Sequence, residues 1–234
     1  MKDVKRDVDL GFVDATTLSD RTLTHMRDLI IAGKIEPGRW FRMADLALSL
    51  GTSITPVRTA LLALEREGLV EVAKARGVRV TPVTRKDIRD AYLVQAFLSG
   101  ELASRAAKDG DDEFVQELEE LQRRMELVVR GKSSESIDDL NWHFHRTINV
   151  RADSPRLARI LRLVTRSVPH DFHRLVPGWS KQAMKHHRAL MQALAAGLPE
   201  QARRVAEEHV RTGCDLLIKR LEKSHYWSNR KAPS

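Results

Sequence analysis

Between residue 87 and about residue 224 the sequence leaves a chain little choice but helix. Apolar residues recur there at helical spacing, and few β-rich runs intervene. Breakers at Asp109-Gly110, Gly131, Ser154-Pro155, Pro177-Gly178 and Gly197-Leu198-Pro199 cut the stretch into helix-sized pieces. Six helices are predicted, over 87–108, 112–130, 134–151, 155–167, 180–196 and 199–223. Loops this short make neighbouring helices run antiparallel. The expected product is an antiparallel six-helix bundle.

The first third of the chain obeys a different pattern. Residues 1–14 are polar and charge-mixed, with no repeating apolar face, and read as a flexible arm. Leu18, Leu23, Met26, Leu29 and Ile30 then form a helical stripe that Gly33 stops. Glu36-Pro37-Gly38 is a turn signal, and a short helix is predicted over 43–50, ended by Gly51. A third helix is expected over 55–67, with Thr55 as its cap, Pro56 at its first position, and Val57, Ala60, Leu61 and Leu64 as its apolar stripe. Two β-rich runs, 69–72 and 78–80, flank Ala73-Lys74-Ala75-Arg76-Gly77 and predict a hairpin with a basic tip. Three helices and a hairpin make a winged helix-turn-helix.

The chain is therefore expected to be mainly α, in two domains: a winged helix-turn-helix over 15–82 and a helical bundle over 87–225. A linker over 83–86 joins them, and residues 226–234 form a tail.

A formal net charge of +8 and an isoelectric point of about 9.9 favour a polyanionic partner, because neutralising phosphates releases counterions. Residues 1–82 nonetheless carry 13 Lys and Arg against 11 Asp and Glu, so a DNA-binding argument rests on placement rather than bulk charge. The single cysteine, Cys214, excludes an intrachain disulfide framework, suits a reducing cytosol and reads as core filler. No run of about 18 apolar residues exists, and the first ten residues are charged throughout, so neither a membrane span nor a secretory signal is legible. The expected location is cytoplasmic.

In a helix-turn-helix the second helix of the motif enters the major groove with its N-terminal end. Here that end carries Ser53, Ile54, Thr55, Val57 and Arg58. Hydroxyls and helix-terminal N–H groups suit phosphate, and a guanidinium forks onto guanine or phosphate. Lys74 and Arg76 at the hairpin tip would lie beside the duplex.

The run from Met26 to Gly38, then Thr55-Pro56-Val57-Arg58, then Leu64-Glu65-Arg66-Glu67-Gly68-Leu69-Val70, resembles the N-terminal domain of GntR-family transcriptional regulators. That resemblance implies a dimer on a short palindromic operator, read by the recognition helix and the wing. The family commonly has Arg just before Thr-Pro-Val-Arg, whereas this chain has Ile54. An apolar side chain meets a thymine methyl but cannot donate to guanine, so a different operator is expected.

The helical half resembles the ligand-binding domain of the FadR-like subgroup of that family. Many such domains hold a divalent metal through one acidic residue and three histidines, with a small carboxylate effector completing the coordination. The matching positions here are Asn141, His145, His187 and His209. Asn141 and His145 are four apart and share one helix face, while His187 and His209 each sit on an apolar stripe of another helix. Imidazoles suit one divalent transition ion, zinc or nickel. Asn141 stands where the family has Asp, which removes one negative charge from the site. His143 and His186 are turned away by about a hundred degrees per residue and are left out. In the first bundle helix Gln95 and Ser99 replace the Arg and Glu of many relatives, and Arg105, Arg162 and Arg166 are candidate anion partners.

The leading function is a ligand-responsive transcriptional regulator, repressor or activator, that binds operator DNA as a homodimer. One alternative is a DNA-binding protein whose bundle only dimerises, its histidines being core packing. Another is a three-histidine metalloenzyme, against which stands the lack of any nearby acid placed as a general base, nucleophile elbow or phosphate loop.

Overall fold

In a computed structural model the described residues are 17–31, 34–35, 37–38, 40–73, 76–109, 112–165, 176–224 and 226–227. The arm expected over 1–14, Lys74 and Arg166 lie outside them.

Helix α1 (Leu18–Ile31) starts at a reciprocal cap, in which the Asp20 amide donates to Thr17 Oγ1 and the Thr17 amide donates to Asp20 Oδ2, each at 3.1 Å. Its core stripe is Met26, Ile30 and Ile31, with Leu23 partly buried, while Leu18 is exposed. Arg27 is also buried and reaches Glu67, at the end of the third helix, with two hydrogen bonds of 2.8 and 2.7 Å. This bidentate pair staples α1 to α3 across 40 residues of sequence.

Strand β1 (Trp40–Phe41) precedes α2 (Met43–Ser49), and α3 (Ile54–Arg66) follows at 111° to α2, within the range of a helix-turn-helix. The expected start of α3 is corrected: Ser53 holds the cap position, without a side-chain capping bond, so Thr55 and Pro56 are the second and third helical residues. Pro56 is tolerated there because the first four N–H groups of a helix have no intrahelical partner. Strands β2 (Val70–Ala73) and β3 (Gly77–Val80) form the hairpin, and β1 adds to its far side, giving an antiparallel sheet of order β1-β3-β2. Met26, Ile30, Val57, Leu61, Leu64, Val70, Val78 and Val80 close one core between these elements.

Among the described residues the bundle contains α4 (Arg85–Ala106), α5 (Asp112–Val129), α6 (Ile137–Arg151), α7 (Pro155–Thr165), α8 (Trp179–Ala195) and α9 (Pro199–Lys223). A Thr84–Asp87 capping box starts α4 two residues earlier than expected, inside the anticipated linker. The start of α6 is later than expected, at a Ser136 cap, because Gly131 at φ 68° ends α5 and the residues up to Glu135 reverse the chain. Helices α4 and α9 pack most extensively, around Gly100, where an added Cβ would lie 2.7 Å from Glu207 Cγ. Cys214 is buried on α9 and its thiol is pushed up to about 11 by burial, as a core residue requires.

Beside that contact, Glu101 of α4 receives hydrogen bonds of 2.7 Å from both Arg203 of α9 and Arg105. These bonds hold its carboxyl below the ordinary carboxylate range. A lowered folded value means that the stabilisation is complete above about 4.3, the unfolded-chain value, and disappears as pH falls through the folded value. Glu101→Gln is therefore expected to lower unfolding free energy by about 1 kcal/mol at pH 7. In paired urea melts, that gap should close on acidification below about pH 4.

The expected tail also needs correction at its start. Tyr226 is buried, and Trp227 donates from Nε1 to the Val83 carbonyl at 2.9 Å while Arg85 stacks 4.2 Å above its ring. Arg85 also pairs with Glu222 at 2.8 Å, so the end of α9 is fastened to the segment entering α4. Among the described residues no single helix is long and apolar enough to cross a membrane.

Candidate DNA-reading surface and metal centre

Burial of Val57, Ala60, Leu61 and Leu64 turns the opposite face of α3 outward. Ile54, Thr55, Arg58, Thr59, Leu62 and Arg66 are all exposed on it, with Ser53 exposed at its leading end. Ser53, Thr55 and Arg58 are thus gathered on one edge, and Ile54 shares it at 44% exposure. Thr59 and Arg66 extend the same face at helical spacing from Thr55 and Leu62. Arg76 is exposed at the hairpin turn.

The histidines meet inside the bundle. His145 comes from α6, His187 from α8 and His209 from α9, and their ring centroids form a near-equilateral triangle of 5.1, 4.9 and 4.9 Å. Candidate ligand atoms, one per imidazole, all lie within 4.8 Å of one another. Bonds of about 2.1 Å to one ion keep donors no more than roughly 4.2 Å apart, so a pair at that limit must close by about half an ångström. His187 stacks on Phe144 at 4.2 Å and His209 leans on Trp179 at 4.8 Å, so aromatic packing holds both rings. Asn141, one turn from His145, carries a buried Oδ1 with no hydrogen-bond partner among the described residues, a donor atom suited to a cation.

His186 is not among the clustered ligand atoms. It is buried, 5.9 Å from His209, and burial lowers its imidazole pKa. His143 is exposed and lines a separate groove.

A cavity of about 930 Å³ opens beside the triangle, lined among others by Tyr92, Gln95, Ser99, Asn141, His145, Arg162 and His209. Gln95 and Arg162 therefore share one space with His145 and His209. Arg105 is not among the lining residues and is spent on Glu101 and on Ser154 Oγ at 2.6 Å. Tyr92, unremarked in the sequence, is buried with an unbonded hydroxyl among the described residues.

Residues 18–80 match the family described as bacterial regulatory proteins, gntR family, and residues 90–212 match the FCD domain. The chain belongs to the GntR family of bacterial regulators, in its FadR-like subgroup. Among relatives of this GntR protein, the probable D-xylose utilization operon transcriptional repressor of Paenarthrobacter nicotinovorans is 28% identical over 202 residues, covering 80% of this chain and 84% of that one. The Escherichia coli regulator McbR is 24% identical over 215 residues, 90% of this chain and 96% of its own. A solved structure of E. coli McbR/YncC superposes with a TM-score of 0.66 at 22% identity, over 88% of this chain and 99% of that one, which shows a shared fold. The GntR and FCD matches and these relatives are those of transcriptional regulators and not of enzymes, and the metalloenzyme alternative gains no support.

Proposed function

We propose that this GntR-family regulator binds a palindromic operator as a homodimer and changes its DNA affinity when a small molecule, a carboxylate among the candidates, occupies the bundle cavity. Ser53, Thr55 and Arg58 would read or grip the duplex, with Lys74 and Arg76 of the wing beside it. His145, His187 and His209 would hold one divalent transition ion, zinc or nickel, with the Asn141 carbonyl oxygen beside them. When bound, such an ion supplies a Lewis-acidic point of attachment for an oxygen ligand. Gln95 and Arg162 would contact the effector from the cavity wall, whereas the placement of Arg105 argues against that role. The domain limits follow the same reading, 15–82 for DNA and 87–225 for effector and dimerisation, with Tyr226 and Trp227 added to the second.

The observation that carries this reading is the meeting of three imidazoles from three helices beside a cavity of about 930 Å³. Dimerisation is supported by α4 and α7, which pack together and leave Leu93, Phe97, Ile160 and Leu163 exposed.

Chelator-stripped protein titrated with zinc should take up one equivalent per chain, and His209→Ala should take up none. An effector then acts on the operator only to the extent of its preference for one dimer arrangement, and the operator acts equally on effector affinity. Wild-type protein that binds specific DNA yet takes up no zinc or nickel, and melts identically with and without chelator, would favour a bundle that only dimerises.

A further inference from the structure

Three histidines can serve one ion only if each offers it a lone pair, and a neutral imidazole offers just one, on whichever nitrogen lacks the proton. For His187 the surroundings decide which nitrogen that is. Its Nδ1 lies 3.2 Å from Oε1 of Gln122, a residue of α5 that is only 3% exposed. The other end of the Gln122 amide is turned to three atoms that accept and never donate: Glu126 Oε1 at 2.7 Å, the Met184 carbonyl at 3.4 Å and Met184 Sδ at 3.4 Å. Swapping the amide oxygen and nitrogen would set an oxygen against a carboxylate and a carbonyl, so the hydrogen-bond network fixes the orientation. Glu126 is itself held, because Arg188 reaches the same Oε1 at 2.7 Å.

Resting on the metal-centre reading above, we propose that Gln122 is a positioning residue for the metal site: anchored by Glu126 and Arg188, its carbonyl accepts a hydrogen bond from Nδ1–H of His187 and leaves Nε2 as the ligand atom. The relay leaves α8 at Arg188, passes through Glu126 and Gln122 on α5 and returns to α8 at His187. One residue of α8 thus sets the proton position on its neighbour. The chemistry is that of the outer groups which orient metal-binding imidazoles, with a neutral amide in place of the usual carboxylate or backbone carbonyl. Fixing the tautomer before the ion arrives also removes a rearrangement from binding.

Two measurements test it. In the metal-free wild-type chain, long-range ¹H–¹⁵N correlation of the histidine side chains should show His187 with its proton on Nδ1, the minor form for free imidazole in water. In Gln122→Leu that preference should vanish, and zinc affinity in competition with a chromophoric chelator should fall about 10–100-fold. Gln122→Met, which keeps length and bulk, should behave as Gln122→Leu does. A His187 proton on Nε2 in the wild type overturns the proposal without any variant having to fold. Zinc uptake that is equally tight in wild type and in folded Gln122→Leu overturns the positioning role alone. No zinc uptake by the wild type overturns the metal centre, and this role with it.

Discussion

Replacing Arg58 by Ala is expected to remove specific operator retention while leaving the melting temperature unchanged. Arg58 stands on the outward face of α3, one turn after Ile54, and the α3 core contacts are made by Val57, Ala60, Leu61 and Leu64 instead. A guanidinium forked onto a base edge discriminates by about 1–3 kcal/mol, and the proposed dimer on a palindrome would make that contact twice. The expected loss is about 2–6 kcal/mol, from roughly thirty-fold to four orders of magnitude. A phosphate contact would act differently, weakening all sequences alike and reducing the slope of affinity against salt by about one per chain. A salt series on specific and scrambled duplexes tells these apart. Unchanged retention by a folded Arg58→Ala protein across that series would remove α3 from the interface.

Gly77→Ala should be the most damaging single-methyl change in the DNA-binding domain. Gly77 opens β3 at φ 95°, and a Cβ there would stand 2.3 Å from the Phe41 carbonyl oxygen. The neighbouring atom is backbone of β1, so no side chain can swing aside. A positive φ alone costs an L residue about 1–2 kcal/mol. Gly68, at φ 72° with nothing within 4 Å of its Cβ position, isolates that part. Gly68→Ala is expected to destabilise by about 1 kcal/mol and Gly77→Ala by about 3 kcal/mol or more, since β1 must also leave the sheet. Calorimetry should show the Gly77→Ala loss in the transition of the DNA-binding domain, with zinc uptake by the bundle kept. Equal penalties at the two glycines would mean that β1 is not held as described.

The helices of the bundle were legible because their ends are local events: Ser154-Pro155 and Gly197-Leu198-Pro199 stop or start a helix whatever lies around them. The winged helix-turn-helix was legible for the same reason, through its order of turns and stripes. The two residues of β1 are too short to show any alternation, so that strand emerges only from its pairing with β3. The Arg27–Glu67 staple joins residues whose separation carries no periodic signal. His186 is buried although it lies outside the histidine cluster, because α8 packs on both α5 and α9, and adjacent residues are buried on different sides. Motif position led to His145, His187 and His209, but the Gln122 contact that orients one of them depends on a neighbour 65 positions away. Arg105 illustrates the converse, a plausible cavity residue claimed by Glu101 and Ser154.

The pairing of α4 with α9 has a consequence during synthesis. The ribosome completes the DNA-binding domain and α4 first, yet the helix that covers α4 comes after every other described helix of the bundle, so these wait for it. A chain released before residue 199 would carry an intact recognition helix, lack His209 and present the bare apolar side of α4 to other proteins, making it a substrate for chaperones and proteases rather than a working regulator.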